Sequence, residues 1–337
     1  MIENPFLGVG LNDVSLAEIP MPSVDATAPR KLLERCPAAG PTPLVALGSF
    51  AGAGSVFVKD ERDRMGLGSF KALGAAYVIA CEAAAGRAAG QTFVCASAGN
   101  HGLSVAAGAQ AFKAKAVIYL SRTVPEAFAE RLRARGAEVR RVDGSYEESM
   151  GAAAKAAVVE GFKLLSDSSW PGYTEYPFRL MEGYLAMAAE AAEAMAEPPT
   201  HIFLQAGVGG LAAACAAYFR KVWGDGPKII VVEPEAAPAL KDCIAAGKFV
   251  TAVGPESCMG RLDCKEASLI ALNGLARDAS AFMTITEEES VAALPLLADV
   301  GLQTTPSGGA GLAGLMGLAP LGPEARVLCI VSEGPEG

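Results

Sequence analysis

Histidine is scarce: the 337 residues hold two, His101 and His201, and neither is followed by a second ligand at metal spacing. Structural zinc is therefore not expected, and the metal expectation is none. The eight cysteines form no C-x-x-C pair, which points to a reduced cytoplasmic protein and away from a disulfide scaffold. Basic charge is in deficit, with 28 Lys and Arg against 37 Asp and Glu and a net charge of −9. This balance argues against a nucleic-acid or membrane partner, so any anionic ligand must be held by local backbone dipoles. Internal repeats, low-complexity tracts and charge blocks are missing as well. One uncharged run, Ile202 to Phe219, is long enough to span a bilayer. Gln205 and a glycine cluster interrupt it, which fits a strand, a tight loop and a buried helix better. The opening MIENPFLGVGLNDV has acidic residues where a signal peptide carries lysines, so no secretory signal is expected.

What is present is globular composition, 51% hydrophobic and 19% charged. The length suggests two domains. From about Gln91, short β-rich runs alternate with alanine-rich amphipathic stretches. Strands are expected at Thr92–Ala96, Ala116–Leu120, Ala137–Val142 and Phe162–Ser166, with helices at His101–Phe112, Pro125–Arg135 and Tyr146–Glu160. The rhythm returns with strand Thr200–Gln205, helix Leu211–Trp223, strand Lys228–Glu233 and a last strand, Ala325–Val331. Such alternation predicts an α/β fold of open, twisted, mostly parallel sheets flanked by helices. The segment before residue 75 has its own strand, Ser55–Lys59, and must pack with the second half. The expected division is therefore a large domain of residues 1–74 and 167–337, with a small mobile domain, 75–166, inserted in it.

Gly207-Val208-Gly209-Gly210-Leu211 follows a predicted strand and opens a helix. Glycines let the backbone approach an anion, and the free N–H groups of the helix N-terminus supply donors, so a phosphate site is the first reading. With Ala212 the run also fits a dinucleotide fingerprint, and Glu233 ends the next strand about where a ribose-binding acid would stand. The loop by itself does not separate these ligands. Three other segments break local expectation. Lys71 follows Ser69 and Phe70 at the start of an apolar helix, Ala72–Ala80, where desolvation would depress its pKa and favour a Schiff base. A lysine snorkelling at a helix start fits those residues equally well. Ser97-Ala98-Gly99-Asn100-His101-Gly102 is a second strand-to-helix turn, able to bind a carboxylate and a phenolic oxygen, or simply capped by Ser97. Ser332 places a hydroxyl at the carboxyl end of the last strand, where ligands sit in open α/β sheets.

Together these pieces resemble the fold-type II pyridoxal-phosphate enzymes, whose fold is that of the tryptophan synthase β-subunit. The motifs run in family order: Val58-Lys59-Asp60-Glu61-Arg62 leading to Ser69-Phe70-Lys71, then Ser97–Gly102, Gly207–Leu211, Thr305-Pro306-Ser307-Gly308-Gly309-Ala310-Gly311, and Ser332. The resemblance implies that Lys71 carries pyridoxal 5'-phosphate as a Schiff base beside Phe70. It implies that Gly207, Val208, Gly209, Gly210 and Leu211 cradle the phosphate, that Asn100 meets the ring hydroxyl and that Ser332 faces the pyridine nitrogen. Ser97, Ala98, Gly99, Asn100 and His101 would bind the amino-acid substrate. A neutral hydroxyl opposite the pyridine nitrogen gives a weak electron sink, which favours expulsion of a β-substituent over transamination. That chemistry is β-elimination, with the released Lys71 amine as base.

Within the family the chain is most similar to the diaminopropionate ammonia-lyases. Asn4-Pro5-Phe6, Asp60-Glu61-Arg62, Asp167-Ser168-Ser169-Trp170-Pro171-Gly172-Tyr173-Thr174, Gln205–Gly209, Val232-Glu233-Pro234 and Ser332-Glu333-Gly334 carry this resemblance. It implies that Asp167 faces the substrate, holding the β-ammonium and passing a proton during elimination. The residues alone also allow a turn cap there. Cys243 and Cys264 fall where that group has cysteines and are expected to be two buried thiols. Two departures stand out: the chain stops soon after its last strand, and the loop Ser97-Ala98-Gly99 has the form found in serine and threonine dehydratases. A dehydratase of hydroxy amino acids is thus the alternative, and a non-catalytic pyridoxal-phosphate carrier a third. Ala98 removes the second base that a D-substrate needs, so selectivity for the L-isomer is expected. The apolar helix faces of the second half, with glycine-rich Ser307–Gly317, suggest a homodimer.

Overall fold

The computed structural model describes residues 1–144, 146–318 and 320–335. In chain order the first half comprises β1 (Ile2–Glu3), α1 (Thr27–Leu33), β2 (Leu44–Phe50), β3 (Ala53–Asp60), α2 (Ala75–Ala84), β4 (Thr92–Ala96), α3 (Asn100–Ala111), β5 (Lys115–Ser121), α4 (Glu126–Ala134), β6 (Glu138–Val142), α5 (Tyr146–Val159) and β7 (Lys163–Leu164). The second half adds α6 (Glu175–Ala194), β8 (His201–Gln205), α7 (Gly210–Trp223), β9 (Lys228–Pro234), α8 (Ala239–Ala246), α9 (Leu269–Asp278), β10 (Ala281–Ile285), α10 (Glu287–Asp299), α11 (Ala310–Leu318) and β11 (Gly322–Val331).

These strands make two sheets. One has seven strands in the order β1-β10-β9-β8-β11-β3-β2, the other four in the order β6-β5-β4-β7. Every pair in the small sheet is parallel, and only the outer pairs β1–β10 and β2–β3 of the large sheet are antiparallel. The α/β architecture of two mostly parallel sheets is therefore the one expected. Parallel strands are covered by helices on both faces, which is why β8, β9 and β11 read as apolar runs without alternation. Helix α7 is apolar on every side because it packs between α6 and α9, so the uncharged run at 202–219 is strand, glycine turn and buried helix. Among the described residues, no helix is long and apolar enough to cross a membrane.

Two local expectations need correction. The apolar stretch after Ser69 is not one helix: a 3₁₀ turn, Phe70–Leu73, ends at Gly74 before α2 begins. A Cβ on Gly74 would lie 2.8 Å from the Tyr184 ring, and one on Gly183 of α6 would lie 2.2 Å from the Leu73 carbonyl oxygen. The two glycines let α6 press against the lysine turn, and that contact breaks the helix. The strand at Phe162–Ser166 shrinks to Lys163–Leu164. Glycine-rich 307–317 is buried within the chain itself as far as Leu315, with Met316 and Gly317 more exposed. Side chains at Gly311 and Gly314 would meet Phe203 and Gln205 of β8 and Val232 of β9, so the glycines seat α11 closely on the large sheet.

Candidate active site

Four chain segments converge at the carboxyl ends of strands from both sheets, where open α/β folds hold ligands. The lysine turn follows β3, the asparagine loop follows β4, the glycine loop follows β8 and Ser332 follows β11. Backbone bonds lock them together: Phe70 donates its N–H to the Ser332 carbonyl at 3.0 Å, and Gly334 donates to Gly68 at 3.0 Å. Lys71 is thus fixed against the end of β11, 261 residues further along the chain.

The Lys71 Nζ donates to Asp167 Oδ2 at 2.6 Å. Asp167 stands on the turn after β7, and that turn is anchored on both sides. Tyr173 donates its hydroxyl to the Leu164 carbonyl at 2.8 Å and accepts from the Ser166 N–H at 3.0 Å. Ser169 Oγ accepts from the Ile270 N–H at 2.9 Å, holding the start of α9. Within the turn itself the Ser168 N–H donates to Ser166 Oγ at 3.2 Å. Burial alone would push the Lys71 ammonium down, as expected from its apolar setting. The adjacent Asp167 charge outweighs burial and holds Lys71 above the usual lysine range. Burial likewise acts to raise the Asp167 carboxyl, but the Lys71 charge wins and keeps it well below the carboxylate range. The expectation of a depressed lysine pKa is thus reversed in the ion-paired state.

His101 is buried, and its Nε2 lies 2.8 Å from the Leu165 carbonyl. A carbonyl only accepts, so Nε2 carries the proton, and Nδ1 is left buried without a hydrogen-bond partner. Burial lowers its pKa, keeping the ring neutral near Lys71 and Asp167. Ser97 turns its hydroxyl inward, accepting from Gly99 N–H at 3.2 Å and Gly102 N–H at 3.0 Å. It caps its own loop, whereas Ala98 at the tip is exposed.

The glycine loop has the conformation its composition requires. Gly209 has φ +96°, and a Cβ there would sit 2.9 Å from Ala271 Cβ. A Cβ on Gly207 would lie 3.0 Å from Leu262 Cα and 3.1 Å from Cys264 Sγ. The Val208 carbonyl accepts from Ser268 N–H at 3.0 Å, tying the loop to α9, and Leu211 is buried in the first turn of α7. Glu233, the acid a dinucleotide would need, is fully buried and accepts from the Leu240 and Lys241 N–H groups at 2.7 and 2.8 Å. It caps α8 and does not face a ribose. The eight cysteines are unpaired: Cys243 is buried with its thiol against the Val250 carbonyl, and Cys264 lies beside the glycine loop.

Sequence reasoning assigned no role to three residues around these loops. Tyr184 is buried on α6, its ring centroid 4.9 Å from that of Phe70, with its hydroxyl beside the Lys71 ammonium. Burial pushes that phenol up to about 12. The signal was Gly74, which has no side chain because Tyr184 fills the space. Glu333 is buried and accepts from the side chains of Asn100 and Thr305. Arg261 reaches the same carboxylate, Nε to Oε2 at 3.4 Å, over Gly99.

Comparison with known proteins agrees with this arrangement. The family described as pyridoxal-phosphate dependent enzyme matches residues 36–333. The diaminopropionate ammonia-lyase of Salmonella typhimurium is 38% identical over 214 residues, covering 56% of this chain and 53% of that enzyme. The chain thus matches about half the length of that relative. The Escherichia coli K12 diaminopropionate ammonia-lyase is 34% identical over 278 residues, 75% of this chain and 69% of that one. A crystal structure of the Escherichia coli enzyme, in complex with an aminoacrylate–pyridoxal phosphate azomethine intermediate, superposes with a TM-score of 0.87 at 28% identity, covering 99% and 93% of the two chains. A family match over most of the chain, on a fold that brings the lysine, the glycine loop and the asparagine loop to one place, shows that the chain belongs to the pyridoxal-phosphate-dependent enzymes, of fold type II.

Proposed function

We propose that the chain is an ammonia-lyase that converts L-2,3-diaminopropionate and water to pyruvate and two ammonia, one expelled by β-elimination and one lost when the released aminoacrylate is hydrolysed. The observation that carries this reading is the Lys71–Asp167 pair at 2.6 Å, set among the loops that would hold cofactor and substrate.

The residues present suit pyridoxal phosphate. Gly207 and Gly209 let the loop pack directly against Leu262, Cys264 and Ala271, and it runs into the N-terminus of a 14-residue helix, whose first N–H groups suit a phosphate. The Ser69 hydroxyl, buried two residues before the lysine, has no hydrogen-bond partner among the described residues. Lys71 would hold the cofactor beside Phe70, the loop Gly207–Leu211 its phosphate, Asn100 its ring hydroxyl and Ser332 its pyridine nitrogen. Bound there, the cofactor supplies a sink for the electron pair left at Cα.

The chain's own residues then divide the work. The Lys71 amine, once released, takes the Cα proton. Asp167 holds the β-ammonium of the substrate. Its depressed pKa suits a charge partner and not a proton donor, and the departing ammonium already carries the proton it needs. This revises the expectation that Asp167 passes a proton. The N–H groups of Asn100 and His101, at the start of α3, are offered to the substrate carboxylate, with Ser97 and Gly99 shaping the loop. Ala98 offers no base to the opposite face.

A hydroxy-amino-acid dehydratase is the second reading, favoured by that Ser97-Ala98-Gly99 loop. A keto-acid assay across diaminopropionate, serine, threonine and 3-hydroxyaspartate decides between them. Diaminopropionate is expected to give the highest kcat/KM, and a wide preference for serine or threonine would install the dehydratase. Asp167→Asn is expected to cost more with the diamine than with serine, because a β-ammonium needs a charge partner. Equal losses would reduce Asp167 to a structural role.

We also propose that residues 75–166 move as a unit against the rest, that the enzyme is a homodimer and that it works in the cytoplasm. The separate four-stranded sheet supports the first. Family resemblance supports the second, and eight unpaired cysteines suit the third.

A further inference from the structure

Glu333 has no part in the chemistry above, yet it is held with unusual thoroughness. Its backbone bridges Ser69, and its carbonyl accepts from Thr304 Oγ1 at 2.6 Å. Its side chain is 5% exposed. The carboxylate accepts from Thr305 Oγ1 and from Asn100 Nδ2, and Arg261 Nε approaches at 3.4 Å. Space for it is made by Gly308, where a Cβ would lie 2.9 Å from Glu333 Cγ. Packing alone does not call for a carboxylate here, since a buried charge is costly unless several donors compensate it.

The contact with Asn100 has a directional consequence. A carboxylate only accepts, so it can face the amide nitrogen of Asn100 but not the amide oxygen. Glu333 therefore selects one of the two amide orientations. One N–H is spent on the carboxylate, and the other is left to point elsewhere from a fixed nitrogen. Asn100 opens α3 beside the small sheet, while Glu333 follows β11 of the large one by two residues, so the same bond also joins the two halves of the site.

We propose that Glu333 is a positioning residue: it sets the amide of Asn100 so that its second N–H meets the ring hydroxyl of the bound cofactor. The proposal rests on the reading that Asn100 contacts that hydroxyl. It assigns Glu333 to the electronic tuning of the cofactor, acting through Asn100 and not by touching the reacting atoms.

The test uses the cofactor-loaded enzyme and its visible absorption. Glu333→Gln keeps the shape but lets either end of an amide face Asn100. It is expected to shift the absorption band, and to move the pH at which that band titrates by about one unit, the effect of changing a charge or hydrogen bond beside a titrating group. In an Asn100→Ala background the same substitution should move the titration no further, because the two residues act as one unit. Glu333→Asp should recover part of the wild-type band. Should Glu333→Gln not fold, Thr305→Val removes one donor to the carboxylate, leaves the charge, and should move the titration in the same direction by a smaller amount.

A change in melting temperature with the band and its titration unmoved would overturn the proposal. So would a Glu333→Gln effect that persists undiminished without Asn100. A wild-type protein that takes up no pyridoxal phosphate would instead overturn the functional reading beneath it, so the two failures are distinct.

Discussion

Two lysines twelve residues apart each meet a carboxylate at 2.6 Å, and only one is suited to chemistry. Lys59 lies within β3, 1% exposed, donating to Glu190 and to the Thr42 carbonyl, with Glu61 at 3.9 Å. Arg64 completes that network, pairing with both Glu61 and Glu190 and donating to Gly40. Two cations and two carboxylates are thus closed on one another, and burial pushes the Arg64 guanidinium down less than its two acids pull it up. Among the described residues Lys71 has Asp167 as its one carboxylate, with the Phe70 ring centroid 5.3 Å from its Nζ, and the Lys71 and Asp167 side chains are 20% and 24% exposed. A charge with every donor committed is a fastener, because moving any member strands another. A charge with one exchangeable partner can change hands with a substrate. Distance does not distinguish the two pairs; the number of partners and the access of solvent do.

The comparison breaks most sharply if the lysines are exchanged in role. Lys71→Ala is expected to abolish turnover and the yellow colour of the loaded enzyme, with borohydride no longer fixing cofactor to the chain, while the fold survives. A coloured, borohydride-labelled Lys71→Ala protein would refute this. The exposed site also predicts a one-sided base. L-diaminopropionate should be turned over about 10²–10⁴-fold faster than its D-isomer, the usual worth of a positioned general base. Ala98→Asp should raise the D-rate, and comparable rates in the native enzyme would mean that another group serves the second face.

At the closed network the effect should appear in stability instead. Glu190→Gln leaves Lys59 and Arg64 sharing one buried carboxylate, and about 3–5 kcal/mol should be lost in chemical denaturation, as when a buried pair loses a member. Colour should remain, and a variant as stable as the parent would show that solvent reaches the network after all. The smallest expected effect belongs to Glu233, another committed acid, whose pKa burial raises to about 8 against two opposing N–H contacts. The folded state then holds a proton that the unfolded state has released above about pH 4. Its contribution is full below that pH and is lost as pH rises towards 8. Glu233→Gln should flatten that decline by about 1–4 kcal/mol, measured as the wild-type minus variant difference across pH 5 to 8.

Much of the site was legible because its residues violate local pattern. A lysine entering an apolar stretch, glycines where a helix should begin and a polar loop after a buried strand each need an explanation that packing does not give. The alternating strands and helices of both sheets were legible for the same reason of periodicity. What stayed hidden depends on distance along the chain or on residues that look ordinary. Asp167 meets Lys71 across 96 positions, and only that contact reverses the direction of the lysine pKa. Tyr184 sits in an apolar helix where a tyrosine resembles any other core residue. Glu333 lies in a terminal turn whose acid would ordinarily be solvated, and its partner Asn100 is 233 positions away. The helices α6, α9, α10 and α11 were not marked out because their alanine- and glycine-rich sequences carry little alternation.

Strand β11 lies between β3 and β8, with Val331 beside Asp60 and Cys329 beside Phe203. An interior place in the large sheet is therefore filled by the strand that leaves the ribosome after the ten other described strands. Until it arrives, β3 and β8 present unpaired inner edges, whereas the four strands between residues 92 and 164 can pair among themselves much earlier. Assembly should proceed from the small sheet to the large, with a late, long-range insertion as the slow event and as the stage most exposed to aggregation. The lysine turn gains its backbone partners in that same step, so competence to take up cofactor should appear together with the final folding phase.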